Sequence, residues 1–136
     1  MKKVFVNGTF DLVHVGHIDL LNFARQQGDH LVVGLDADSR VKELKGPGRP
    51  IHNERERMFL LLNLRPVDEV VTFLSDDGLE DLVHRVSPDV MVVGSDWKGK
   101  KIIGSQFAKE LIFYDRIPNF STTNIIQSII DRRDLL

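Results

Sequence analysis

A doubly wound, Rossmann-like α/β domain with a mainly parallel, five-stranded sheet is the fold the sequence predicts, as one unit over residues 1–136. Three observations predict it. Five short runs are nearly continuous in apolar and β-branched residues, as expected of parallel strands covered on both faces. Helical periods fall between those runs, so β and α units alternate. At 136 residues the chain can build one core but not two ordinary domains.

The elements follow in order. Lys3–Val6 is the first strand, and a helix is expected at about 16–27. His30–Leu35 is the second strand. The Gly/Pro-rich stretch Lys45-Gly46-Pro47-Gly48-Arg49-Pro50 then reads as a loop within the domain. Asn53 followed by Glu56 resembles a capping pair, which opens a helix at 54–64. Glu69–Leu74 is the third strand. In the next helix, 79–86, Leu79, Leu82, Val83 and Val86 fall on one face. Val90–Gly94 and Glu110–Tyr114 complete the sheet, with a short helix at 105–109 between them. A last helix, 122–133, carries Ile125, Ile126, Ile129 and Ile130 as an apolar stripe. No repeat or linker interrupts the pattern.

Composition excludes several functions. A net charge of −2 gives no overall basic field, which disfavours a duplex nucleic-acid binder. There is no cysteine, so a disulfide scaffold, a thiolate zinc site and a cysteine nucleophile are ruled out. Only Val4-Phe5-Val6 follows Met1-Lys2-Lys3, too short a run for a signal peptide. No stretch approaches the roughly 18 apolar residues of a membrane span. The expectation is a cytoplasmic protein with no membrane partner.

Ligands of doubly wound sheets bind beyond the carboxyl ends of the strands, so site residues should fall just after strands. Gly8-Thr9-Phe10-Asp11-Leu12-Val13-His14-Val15-Gly16-His17 follows the first strand directly. His14 and His17 are three apart, and Gly16 between them lets the backbone approach a ligand. Free N–H groups and a partial positive charge at a helix start suit phosphate. Two imidazoles there can donate to phosphoryl oxygens as charge builds in a transition state. The competing reading is that two histidines so spaced are surface or packing residues. Nothing nearby is a good nucleophile, so direct attack by a second substrate's own phosphate is the simpler chemistry. The spacing lacks the H-E-x-x-H pattern and a third ligand, so zinc is not expected.

Two further blocks also follow strands. Ser121-Thr122-Thr123-Asn124 opens the last helix, with Arg116 five residues ahead of Ser121. Hydroxyls at a helix start form an anion cradle, and Arg adds a bidentate clamp. Capping alone needs one hydroxyl, not three in a row. Gly94-Ser95-Asp96-Trp97-Lys98-Gly99-Lys100-Lys101 almost spells a P-loop. Lys101 stands where Mg²⁺ would require a hydroxyl, so that motif is rejected.

Gly-Thr-Phe-Asp-Leu-x-His-x-Gly-His after an N-terminal strand resembles the cytidylyltransferase-like nucleotidyltransferases, and the likeness extends over nearly the whole chain. Their small members include glycerol-3-phosphate cytidylyltransferase and the adenylyltransferase domain of the heptose-phosphate enzymes. The resemblance implies transfer of a nucleoside monophosphate from an NTP, ATP or CTP, to a small phosphorylated acceptor, with release of pyrophosphate. It casts His14, His17, Lys45 and Arg116 as catalytic. Gly8, Thr9, Phe10, Gly16, Gly94, Asp96, Ser121, Thr122 and Thr123 become nucleotide-binding residues. Asp11, Arg57 and Trp97 fall on the acceptor side.

Alternatives stay open for three of these: an orienting role for Asp11, a packing or salt-bridge role for Arg57, and packing rather than base stacking for Trp97. The last block reads Arg-Ile-Pro-Asn-Phe-Ser-Thr-Thr where the family has Arg-Thr-x-Gly-x-Ser-Thr-Thr. Asn119 replaces the glycine and Ile117 the threonine; Asn tolerates a left-handed backbone. Mg²⁺ is expected to arrive with the triphosphate, because no carboxylate cage is visible. A homodimer is carried over from the resemblance alone.

Lys-Gly-x-x-Arg-Pro and Ser-Thr-Thr-Asn-Ile-Ile lean towards a sugar phosphate such as heptose 1-phosphate with ATP. Asp96-Trp97-Lys98-Gly99-Lys100 leans towards glycerol 3-phosphate with CTP. A regulatory module that binds nucleotide without chemistry, and a flavodoxin-like interaction domain, are the readings from other classes.

Overall fold

Side chains of a strand point to alternate faces, and the apolar runs here are long enough to cover both. The computed structural model describes residues 1–136. Its strands are β1 (Lys3–Gly8), β2 (His30–Asp36), β3 (Glu69–Phe73), β4 (Val90–Gly94) and β5 (Glu110–Tyr114). They form one sheet in the order β3-β2-β1-β4-β5, with every pairing parallel. On one face Val4, Val6, Leu31, Val33, Val90 and Val92 meet Leu21 and Ala24 of helix α1 (Val15–Gln26) and Leu61 of α3 (Glu54–Leu62). On the other, Phe5, Val32 and Met91 meet Leu79, Leu82 and Val83 of α4 (Asp76–Val86). Each such side chain contributes about 1.5–3 kcal/mol on burial, so both layers are needed to hold the sheet. The winding reverses between β1 and β4, which opens a crevice beyond their carboxyl ends.

Two helices differ from the sequence expectation. Asp38–Lys45 forms a helix, α2, that the sequence pattern did not reveal. Only Val41 is buried in it, and Ala37 at its start makes no side-chain cap, so neither stripe nor capping signal was there to see. The fifth helix, α5 (Thr122–Asp131), buries no residue. Its isoleucine stripe is therefore not a core face: Ile129 and Ile130 are exposed. The chain is tied down at its amino end, where the Thr122 hydroxyl donates to the Asp11 carbonyl at 2.7 Å. Smaller shifts have local causes. Helix α4 starts three residues early because Ser75 caps it, accepting from Gly78 N. The stretch 105–109 is a single 3₁₀ turn, Ser105–Phe107, after Gly104 at φ 84°. No helix is long and apolar enough to cross a membrane.

The capping pair at Asn53 and Glu56 forms as expected and aims the buried face of α3 at the sheet. On that face Arg57 has no exposed surface. Its Nε donates to the His52 carbonyl at 3.0 Å, and Nη1 to those of Thr9 (2.9 Å) and Asp36 (2.8 Å). Nη2 meets Asp38 Oδ1 at 2.8 Å. The expected acceptor contact of Arg57 is thus corrected. Its guanidinium is a clamp inside the fold, engaged with the chain ends of β1 and β2. Arg57→Ala should leave three carbonyls and a carboxylate without their donor and destabilise the fold by about 3 kcal/mol or more. Urea denaturation followed by far-UV circular dichroism measures this, and an unchanged midpoint would show the clamp to be dispensable.

Candidate functional site

A cavity of about 970 Å³ opens beyond the carboxyl ends of the strands, at the upper end of ligand-pocket sizes. The first turn supplies its centre. Phe10 and Leu12 both take a left-handed backbone, at φ 51°, and the chain then extends at His14 (φ −138°), the N-cap of α1. The His14 ring accepts from Gly16 N through Nδ1 at 3.0 Å. The His17 ring reaches back to accept from His14 N, also through Nδ1, at 3.3 Å. Two imidazoles thus form a capping box of the kind usually made by Ser or Thr with Glu or Gln. The three-residue spacing is the distance from N-cap to N3.

This arrangement fixes chemistry as well as shape. A neutral imidazole that accepts at Nδ1 carries its proton on Nε2, an assignment made from the hydrogen-bond network. Each ring therefore keeps one N–H donor for a ligand. The rings stack with centroids 3.8 Å apart, and buried Phe10 backs His17 at 5.3 Å. A Cβ on Gly16 would lie 2.9 Å from His14 Cε1 and 3.3 Å from Phe120 Cβ. Only glycine lets the two histidines and the amino end of α5 converge.

Burial disfavours the charged form of both rings. Burial lowers the pKa of His14. His17 is pushed down to about 3, first by burial, then by the repulsion its charged form would meet from a protonated His14 and from Lys45 and Arg116, against an opposing pull from Asp11. Lys45, at the end of α2, is lowered by desolvation and then by Arg49. Lys45, Arg49 and Arg116 thus gather at the histidine end of the cavity, while Asp76, Asp77 and Glu80 line another part of its wall.

Most of the expected site residues meet here. Gly8, Thr9, Phe10, Asp11, His14, Gly16 and His17 line the cavity from β1 and the first turn. From the α2 end comes Lys45, and from the β4 and β5 ends Gly94, Trp97 and Arg116. Ser121, Thr122 and Thr123 close it at α5. Ser121 Oγ caps the helix by accepting from Asn124 N at 3.0 Å. The first-turn N–H groups of Thr122 and Thr123 have no helical acceptor. Asn119 takes φ 72°, the left-handed turn anticipated for the residue replacing glycine.

Others lie differently. Arg57 is outside the cavity, as described above. Asp96 also falls outside it; its exposed carboxylate stands 3.7 Å from Arg116 Nη2. Asp11 touches the cavity, but its two oxygens accept from Ile51 N (2.7 Å) and His52 N (2.9 Å). That carboxylate orients the loop rather than offering itself to an acceptor.

The sequence reading missed Arg40, Asp36 and Tyr114. Asp36 accepts from Thr9 Oγ1 and from Arg40 Nε, both at 3.0 Å, and Arg40 also pairs with Asp76 at 2.8 Å. The Asp36–Arg40 spacing of four was legible only with α2 in view. The Tyr114 hydroxyl donates to Asp19, and burial together with that carboxylate raises its pKa to about 12.

Known proteins match this arrangement. The family model described as cytidylyltransferase-like matches residues 5–128. The bifunctional protein HldE of Helicobacter hepaticus is 47% identical over 94% of this chain and 26% of its own length. Its counterpart in Campylobacter concisus is 46% identical over 98% of this chain and 28% of its own length. The chain thus spans about a quarter of the curated relatives it matches. A solved lipopolysaccharide core biosynthesis protein from Thermoplasma volcanium is 27% identical, with a TM-score of 0.69, covering 85% of this chain and 98% of that one.

The low pKa of His17 has a signed consequence. Between its unfolded value of 6.5 and its folded value of about 3, the unfolded chain binds the proton and the native one does not. Stability from this group is complete above pH 6.5 and drains as pH falls towards 3. The His17 ring is expected to show no titration by NMR between pH 8 and pH 5. The melting temperature should fall more steeply below pH 6 in the native chain than in His17→Asn. A His17 midpoint near 6.5 would refute the buried, neutral ring.

Proposed function

The chain belongs to the cytidylyltransferase-like family, and we propose that it moves a nucleoside monophosphate from an NTP onto a phosphorylated sugar, releasing pyrophosphate. The observation that carries this reading is the paired Nε2–H donors of His14 and His17 at the mouth of α1, beside the open first turn of α5. Two helix starts and two fixed imidazoles around one space suit a polyanion better than any neutral ligand.

The chemistry that follows is in-line displacement. An oxygen of the acceptor phosphate attacks the α-phosphorus, that P–O bond forms, and the bond from the α-phosphorus to the bridging oxygen breaks. Pyrophosphate carries the electron pair away. Nothing in the cavity need become covalent with substrate, so the residues act by positioning and charge neutralisation. His14 and His17 donate to phosphoryl oxygens; Lys45 and Arg116 offset negative charge on either side of them. Neutral imidazoles suit this arrangement, because only the neutral ring can accept a main-chain N–H at Nδ1 while its Nε2–H faces the ligand.

The carboxylates nearest the histidines are already engaged, Asp11 by two main-chain N–H groups and Asp36 by Thr9 and Arg40. This donor set would suit a Mg²⁺ that arrives with the triphosphate rather than one caged by protein. The ion would supply charge neutralisation on the triphosphate.

For the acceptor, the likeness to heptose-phosphate enzymes and the two HldE relatives favour a sugar 1-phosphate, with ATP as donor. A structural neighbour in lipopolysaccharide core biosynthesis points the same way. Half-exposed Trp97 on the cavity wall keeps CTP with glycerol 3-phosphate as the second reading. Pyrophosphate release over ATP and CTP, against heptose, glycerol, choline and ethanolamine phosphates, decides between them. Binding of NTP with no release across the panel would turn the assignment to a regulatory module. His17→Ala should lower kcat by about 10²- to 10³-fold, with a far-UV spectrum like that of the native chain. Near-normal turnover in that folded variant would remove His17 from the chemistry.

A further inference from the structure

Four arginines lie in or behind the cavity, and they differ in how far the protein satisfies them. Arg57 is completely buried and fully bonded. Arg40 is 14% exposed and meets two carboxylates, Asp36 and Asp76. Arg116 is 71% exposed and solvated. Arg49 is the exception. Its side chain is only 18% exposed, yet its single ionic neighbour is Asp11, at 4.0 Å, too far for a hydrogen bond. Its Nε is buried and donates to nothing in the protein. Asp11 is held at that distance by main-chain N–H groups of Ile51 and His52, one on each oxygen.

A buried guanidinium with an idle donor is costly unless something else satisfies it. Arg49 lines the cavity next to Lys45, and a planar fork of N–H donors matches a phosphate oxygen pair. We propose that Arg49, with Lys45 beside it, grips the phosphate group of the acceptor. This rests on the nucleotidyl-transfer reading for the name of its ligand.

The side of the cavity decides which phosphate it takes. Arg49 comes from the loop after α2, on the β2 flank of the histidines. Arg116 and the α5 start come from the β5 flank. There the amino ends of α1 and α5 converge at Gly16 and Phe120, which gives the larger anion its cradle. In-line displacement places the entering and leaving oxygens on opposite sides of the α-phosphorus. Two cations on the β2 flank match the roughly two negative charges of a phosphomonoester near neutral pH.

Arg49→Gln and Arg49→Lys test this in the full chain, each checked for a native melting temperature. For Arg49→Gln, KM for the acceptor should rise about 10- to 100-fold, with KM for NTP and kcat within about threefold of the native values. Arg49→Lys should fall between, keeping charge but losing the fork. An equal rise in KM for NTP would move Arg49 to the triphosphate side and overturn the proposal, as would an unchanged acceptor KM.

A second readout does not depend on turnover. The Arg49 Nε–H resonance, assigned by its loss in Arg49→Lys, should shift saturably when inorganic phosphate is added to protein already saturated with pyrophosphate. A resonance unmoved by phosphate, or moved fully by pyrophosphate alone, overturns the site. A native chain that releases no pyrophosphate with any acceptor defeats the proposed reaction, and the resonance then decides Arg49 by itself.

Discussion

The amino end of α1 is stabilised by the same side chains that line the cavity. His14 and His17 accept the main-chain N–H groups of Gly16 and His14, which satisfies donors that a helix start leaves open. Each ring gains one orientation and one tautomer from that duty. A catalytic donor held by a loop would have to be ordered when substrate arrives, at a cost in conformational entropy. Here the ordering is done during folding. The left-handed turn at Phe10 and Leu12 is part of the same device, because it brings the chain sharply from β1 to the cap. Strain of that kind at non-glycine residues persists where the surroundings fix it, and Phe10 is buried against His17.

Behind the histidines a second layer holds the loops. Asp11 gathers Ile51 and His52, and Arg57 gathers Thr9, Asp36 and His52. Apart from the local Arg57–His52 bond, these contacts join residues 21 to 48 positions apart. They tie the first turn to α2, which ends at Lys45, and to the loop after it, which carries Arg49. Asp11 and Asp36, beside the histidines, are engaged within the fold, which leaves Lys45, Arg49 and Arg116 to set a positive field at that end of the cavity although the chain as a whole carries −2. The local field thus comes from which charges are already neutralised within the fold, and not from composition.

That distinction also marks what the sequence could show. Strands were legible because burial on both faces requires unbroken apolar runs, and the two runs at Val90–Gly94 and Glu110–Tyr114 match the structure end to end. The His14–His17 spacing was legible as a site, but its capping role needed coordinates. Helix α2 was hidden because one buried valine makes no stripe. The isoleucines of α5 misled in the opposite sense, since periodicity shows that a face is apolar without showing that anything covers it. Arg57 and Arg49 are the sharpest contrast. Both are basic residues in or beside one loop, and nothing local says which has partners. Most of the partners of Arg57 lie at the ends of β1 and β2, far away in the chain, which a linear pattern cannot display.

The four arginines therefore form a series ordered by satisfaction rather than by exposure. Arg57 and Arg49 are both largely buried, yet one has every nitrogen engaged and the other has an orphan Nε. Burial alone would have grouped them as structural. Proximity to the cavity alone would have grouped Arg49 with Arg40, whose two carboxylates leave it little to offer a ligand. Only the count of unmet donors separates a residue that completes the fold from one that waits for an anion. The same test applied to the carboxylates removes Asp11 and Asp36 from direct chemistry. What remains around the histidines is then Lys45, Arg49, Arg116 and the two imidazole N–H groups, and such a cluster of donors is complementary to phosphate.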